Sequence, residues 1–134
     1  MARPPSKTPT ELELDILKVL WERGPLPVRE VQAALEPGRP LAYTSVMTMM
    51  GIMVDKGYLV RKKKRGRYVY RARIRQADTR RSMLRDVVRR AFDGSAGAAA
   101  LHLVNSGDLT PEQIAELRAI LDDKQKRPSR EDRS

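Results

Sequence analysis

Between residues 61 and 75 the chain carries nine basic side chains, Arg61, Lys62, Lys63, Lys64, Arg65, Arg67, Arg71, Arg73 and Arg75, and no acid. Cations at that density suit phosphate: each one set against a nucleic-acid backbone displaces condensed counterions and adds affinity that does not depend on sequence. Just upstream, Tyr43, Thr44, Ser45, Met47 and Thr48 gather hydroxyls and a thioether, groups able to bond base edges or phosphates and to touch a thymine methyl. Other chemistry is scarce. With no cysteine in the chain, a disulfide scaffold, a thiolate metal site, a CxxC redox pair and a cysteine nucleophile are excluded together. The single histidine, His102, has no cluster of acids near it in sequence from which a catalytic dyad or metal centre could be built. Scattered Ser, Asp and Glu form no catalytic motif, so an enzyme is the weakest reading, and no residue set points to a cofactor or a small-molecule ligand.

The cationic stretch stands out because the rest of the chain is balanced. Of 134 residues, 27 are Lys or Arg and 17 are Asp or Glu, for a net charge of +10. Residues 1–60 hold seven basic and seven acidic groups, and residues 76–134 hold eleven and ten. Charge concentrated in one place marks either a binding surface or a solvated tail. Tyr58, Leu59 and Val60 before the run, and Tyr68, Val69 and Tyr70 inside it, favour strands over a tail. The length fits one domain, or a small domain with a helical module attached. No apolar run approaches the roughly 20 residues that span a bilayer, and the opening Met1-Ala2-Arg3-Pro4-Pro5 lacks a signal peptide's apolar core. A cytoplasmic protein is expected.

Several elements must position these groups. Residues 1–9, with Pro4, Pro5 and Pro9, read as a flexible arm. Thr10 and Glu13 form a capping box for a first helix, with Leu12, Ile16, Val19 and Leu20 at helical spacing and a stop near Gly24-Pro25. Pro27 suits the first turn of a short second helix with Val28, Val31 and Leu35 on one face. The third helix is expected from Ala42 to about Lys56, ending at Gly57. Its face of Val46, Met49, Met50, Met53 and Val54 reads as core, the methionines included. Thr44, Thr48, Gly51 and Asp55 then point outward, flanked by Ser45 and Met47, and their small size lets the helix approach another surface. Tyr58 to Arg61, a tip at about Lys62 to Gly66, and Arg67 to Ala72 make a β-hairpin. Three helices and a basic hairpin are the order of a winged helix-turn-helix, with the third helix for a major groove about 12 Å wide and the wing for the backbone.

Residues 76–126 read as a separate helical module. Asp78 to Phe92 carries Leu84, Val87, Val88 and Ala91 on one side. Ala96 to Val104 is a small-residue apolar segment. A last helix starts with Thr110 as N-cap, Pro111, a capping box to Gln113 and a staple between Leu109 and Ile114, with Ile114, Leu117, Ile120 and Leu121 as its stripe. Short amphipathic helices such as these bury their faces poorly alone, so a homodimer is expected, with packing onto the N-terminal domain as the alternative. Arg127 to Ser134 reads as a disordered tail. The fold class expected is therefore mainly α with a small β-hairpin: a winged helix-turn-helix domain over residues 10–75 and a C-terminal helical dimerisation module.

Over roughly residues 10 to 125 the chain resembles the penicillinase repressors of the BlaI/MecI type. The resemblance is carried by Glu13 to Trp21, by Val28-Arg29-Glu30-Val31 followed by Leu41 to Thr48, by Asp55-Lys56-Gly57-Tyr58-Leu59 with Tyr68 and Tyr70, and by Asp108 to Leu117. It implies a homodimeric transcriptional repressor on a palindromic DNA operator, in front of resistance or regulatory genes. It also implies release when a membrane-embedded sensor metalloprotease leads to cleavage in the dimerisation region. The corresponding bond is His102–Leu103, where this chain has neither the Asn nor the Phe of the family's cut. Gly51 and Ile52 depart as well, Ile52 standing where many members carry Arg, which bears on base preference. Copper-sensing relatives use a cysteine-containing tail, and this chain has no cysteine.

Two readings of the basic hairpin therefore stand: a wing on double-stranded DNA, with Tyr43, Thr44, Ser45, Met47, Thr48 and Arg61 to Arg67 at the contact, or a peripheral module binding RNA or anionic lipid. Attraction to lipid of about 1 kcal/mol per basic residue is physically available. An apolar anchor helix beside the patch is not evident.

Overall fold

Thr10 opens the first helix by a reciprocal pair of bonds: the Glu13 N–H donates to Thr10 Oγ1 at 3.2 Å and the Thr10 N–H to Glu13 Oε1 at 2.8 Å. This capping box, found in a computed structural model that describes residues 8–126, starts α1 (Glu11–Arg23), and Gly24, at φ 83°, ends it. α2 (Val28–Leu35) follows. Pro27 is extended and precedes this helix as its N-cap, instead of lying in its first turn; its carbonyl accepts from the N–H groups of Glu30 and Val31. Ile16, Leu17 and Leu20 of α1 and Val28, Val31 and Leu35 of α2 are buried together in one apolar cluster.

α3 (Tyr43–Asp55) lies between Ala42 and Lys56. Val46, Met50 and Met53 are completely buried, and Met49 and Val54 pack against the same cluster, so the methionines do serve as core. The helix ends in a tight reversal: Gly57, at φ 84°, donates to Val54 and Tyr58 donates to Met53. This pairing satisfies carbonyls the last turn would leave bare, and the left-handed backbone at its centre suits glycine. It delivers Tyr58, itself buried, straight into the hairpin.

The hairpin is β1 (Leu59–Lys64) paired antiparallel with β2 (Arg67–Ala72), in a register from Leu59 opposite Ala72 to Lys64 opposite Arg67. The expected tip at Lys62 to Gly66 is shorter than that. Lys62, Lys63 and Lys64 are strand residues, and only Arg65 (φ 49°) and Gly66 (φ 81°) turn. Two successive positive φ angles give a two-residue turn whose twist matches that of the strands, so pairing runs to its edge. A third strand, reduced to Leu26, bridges Tyr70 with N–O distances of 3.0 and 2.9 Å. Long-range bonds hold the assembly: Trp21 Nε1 donates to the Ile74 carbonyl at 2.9 Å, Gln32 Nε2 to the Leu41 carbonyl at 3.0 Å, and Arg39 pairs with Glu11 and Asp15. The architecture is a winged helix-turn-helix followed by helices.

These are α4 (Gln76–Ala91), α5 (Ala96–Asn105) and α6 (Pro111–Lys126). The chain divides into two compact units that meet between Val87 and Val88, within α4. In the second unit Ser95 caps α5 through the Ala98 N–H, and Thr110 and Gln113 form the capping box of α6. Ile114, Leu117, Ile120 and Leu121 are all exposed in the single chain. Of the arm expected at residues 1–9, only Thr8 and Pro9 are described, and Pro9 is buried; the tail expected at 127–134 lies outside the described residues.

Candidate nucleic-acid interface

Because α3 turns Val46, Met50 and Met53 inward, helical geometry turns Tyr43, Thr44, Ser45, Met47 and Thr48 outward, and all five are exposed. Asp55 and Ile52 are exposed as well, while Gly51 is half-buried. The outer face is thus hydroxyl-rich at its N-terminal half and apolar near Ile52.

Arg61, Lys62, Lys63, Lys64, Arg65 and Arg67 are all exposed on the hairpin. The strand register sorts them, because side chains alternate between faces. Arg61 and Lys63 share a face with their partners Tyr70 and Tyr68, whereas Lys62 and Lys64 share the other with Val69 and Arg67. Among the described residues no carboxylate lies within ion-pair distance of these cations. Arg61 is held in place by aromatics: its guanidinium lies 4.6 Å from the Tyr68 ring centroid. A hydrogen bond with the Tyr70 side chain pushes its already high pKa further up. It is a fixed charge at every pH the protein meets.

The structure adds residues that the spacing did not single out. Arg29, in the first turn of α2, lies 5.5 Å from the Tyr43 ring centroid. It lines, with Tyr43, Met47, Arg67, Tyr68 and Tyr70, a cleft of about 310 Å³ between the helices and the hairpin turn. Arg29 stood in the sequence only within the Val28-Arg29-Glu30-Val31 stretch of the resemblance and not as a contact residue, since nothing local shows that α2 begins beside the start of α3.

His102 and Leu103 lie within α5, both exposed. The His102 ring sits 5.9 Å from that of Phe92, tilted by 59°. Among the described residues no group of three or more His, Asp or Glu is placed to hold a metal ion, and no helix is long and apolar enough to cross a membrane.

A family model described as penicillinase repressor matches residues 9–123. The chain belongs to the penicillinase repressor family. Its relatives include the penicillinase repressor of Bacillus licheniformis, 25% identical over 88% of this chain and 92% of that protein. Another is the methicillin resistance regulatory protein MecI of Mammaliicoccus sciuri, 20% identical over 84% of this chain and 91% of that protein. The solution structure of the DNA-binding domain of the repressor BlaI is similar at 26% identity and a TM-score of 0.49, covering 58% of this chain and 93% of that one. As a member of the penicillinase repressor family, the chain presents the family's expected order of helices and wing, and no carboxylate among the described residues lies within ion-pair distance of the wing cations Arg61 to Arg67.

Proposed function

We propose that this chain is a DNA-binding transcriptional repressor of the cytoplasm, acting as a homodimer on a palindromic operator in front of antibiotic-resistance or regulatory genes. The observation that carries the reading is the pairing of an exposed hydroxyl face on α3 with a hairpin of exposed cations, both anchored in one core. In this arrangement α3 is the recognition helix: Thr44, Ser45 and Thr48 supply bonds to base edges, Tyr43 a phenol for base or phosphate, and Met47 a contact for a thymine methyl. The wing supplies phosphate contacts and so sets affinity more than choice of sequence. The exposed stripe of Ile114, Leu117, Ile120 and Leu121 supports dimerisation, since four large apolar groups on one helix face need a partner. Two winged domains then meet half-sites separated by about one helical turn or a multiple of it.

Release by proteolysis in the dimerisation region, set off by a membrane-embedded sensor metalloprotease, is part of the proposal. The candidate bond His102–Leu103 lies inside a hydrogen-bonded helix, so cutting it requires α5 to open locally first.

The test is selection of duplexes from a random pool by the full chain, followed by binding measured against salt. Enrichment of an inverted repeat, with log Kd changing by about 0.9 per log unit of salt for each phosphate engaged, supports the reading. Equal affinity for all duplexes, or preference for anionic vesicles or single-stranded RNA, overturns it.

A further inference from the structure

We propose that the cleft between the start of the recognition helix and the wing turn seats a single backbone phosphate of the bound duplex, with Arg29 of α2 as its cation. The inference rests on the DNA-binding reading and adds to it a cation, Arg29, that lies outside both the recognition helix and the wing. The cleft opens over about 310 Å³, and its walls are Arg29, Tyr43, Met47, Arg67, Tyr68 and Tyr70. Two guanidinium groups therefore border it from different elements, α2 and β2. Neither has a carboxylate within ion-pair distance among the described residues. The charge around this recess is thus left for something from outside.

Arg29 is also oriented. Its guanidinium lies 5.5 Å from the centroid of the Tyr43 ring, in cation–π range. A planar guanidinium steadied on a ring keeps its N–H edge for a phosphate oxygen and loses less freedom on binding than an unsupported lysine. Phenols at Tyr43 and Tyr68 add O–H donors of the kind that commonly reach backbone oxygens. Position supplies the rest of the argument. Tyr43 and Met47 belong to the base-reading face and Gly66 and Arg67 to the wing turn. A strand that borders the groove read by α3 and also meets the wing must cross the gap between them. The recess sits in that gap, and the contact it makes is with a phosphodiester and carries no base information.

The experiment uses the full chain and a duplex enriched from a random pool, with a single methylphosphonate placed in turn at each backbone position. Arg29→Ala is expected to weaken binding about tenfold and to lower the salt slope by about 1, alike for enriched and random duplexes. One methylphosphonate position in each half-site that weakens the wild type should add nothing further in Arg29→Ala. Arg29→Lys, which keeps the charge but loses the planar fork, should fall between the two. Arg29 is exposed, so an unchanged urea midpoint is expected and separates binding from folding. An unchanged slope in Arg29→Ala, or methylphosphonate losses that simply add to the mutation at every position, overturns the inference and leaves the repressor reading standing. Competition by inorganic phosphate beyond its ionic-strength effect also overturns it, since the recess would then be a free-anion site. If the wild type itself prefers no duplex, the failure belongs to the underlying reading.

Discussion

Lys56 Nζ lies 2.7 Å from Oε2 of Glu13, so the C-cap of α3 is bonded to the carboxylate that caps α1. Glu13 spends its other oxygen, Oε1, on the Thr10 N–H at 2.8 Å, and with 1% exposure it is the most deeply placed charge in the domain core. One carboxylate thus ties the start of the first helix to the end of the third. The angle at which α3 is presented depends on both.

That carboxylate sets a pH limit on stability. Burial pushes its pKa up, but bonds from Lys56 and Thr10 and the charge of Lys56 outweigh burial, and the net effect is a pKa below the ordinary 4.5. A group whose folded pKa is lowered stabilises fully above its unfolded value and loses that contribution as pH falls through the folded one. Urea unfolding between about pH 7 and pH 3 should show stability dropping below about pH 4.5. Glu13→Gln should show a shallower drop over the same window. Parallel curves for the two proteins would mean that Glu13 is not the group responsible.

Removing the other partner should do more harm. Lys56→Met leaves a buried carboxylate without its counter-charge, and breaking a buried pair in this way costs about 3 kcal/mol. Glu13→Gln leaves Lys56, whose side chain is 28% exposed, able to reach water, and the amide oxygen can still accept from Thr10. Unfolding midpoints should therefore rank wild type, Glu13→Gln, Lys56→Met in falling order. A reversed order of the two variants would show that Lys56, not Glu13, carries the strain.

The strand register gives the wing two cationic faces, and salt dependence distinguishes them. Lys62→Ala with Lys64→Ala thins one face, which keeps Arg67; Arg61→Ala with Lys63→Ala empties the other, which holds the Tyr68 stack. Every phosphate that a variant no longer neutralises lowers the log–log slope by about 0.9. Lys63→Ala with Lys64→Ala takes one cation from each face and should flatten the slope while weakening enriched and random duplexes alike. A slope unmoved in all three pairs would remove the wing from the DNA interface.

How much of this could be read from the sequence depended on how local each cause was. Both capping boxes were legible because Thr10 and Glu13, like Thr110 and Gln113, are three residues apart. The stop at Gly57 was legible because a positive φ favours glycine whatever packs around it. The length of the wing tip was not, since a run of like charges carries no alternation from which to count strand residues, and only Arg65 and Gly66 proved to turn. The bridge from Leu26 to Tyr70 joins a single residue to a strand far along the chain, and no periodicity announces a strand of one. The stack of Arg29 on Tyr43 depends on where α2 and α3 start in space, which local spacing leaves open.

Base reading by α3 predicts a different signature from that of the wing. Thr44→Ala and Thr48→Ala remove exposed hydroxyls without touching Val46, Met50 or Met53, so stability should change by no more than about 0.5 kcal/mol. Discrimination should fall by about 1 kcal/mol for each hydrogen bond to a base that is removed, seen as a smaller ratio of enriched to random affinity at constant salt slope. If both affinities fall together, these threonines touch phosphate and the reading face lies elsewhere on the helix.

Dimerisation through α6 predicts that charge on its stripe separates the protomers without unfolding them. Leu117 and Leu121 are 37% and 62% exposed in the single chain, and they lie four residues apart on one face, so Glu at both positions buries no charge in a monomer. In a dimer each carboxylate would meet an apolar surface and its copy, which is prohibitive unless the helices separate. Sedimentation of Leu117→Glu with Leu121→Glu should give a monomer of unchanged helix content. Binding to an inverted repeat should then fall to the affinity of one half-site, because the second domain is no longer held at high effective concentration. A variant that stays dimeric would place the interface on α4 or α5, where Leu84, Leu101 and Val104 are also exposed. A wild type that sediments as a monomer would remove the geometric reason for a palindromic operator.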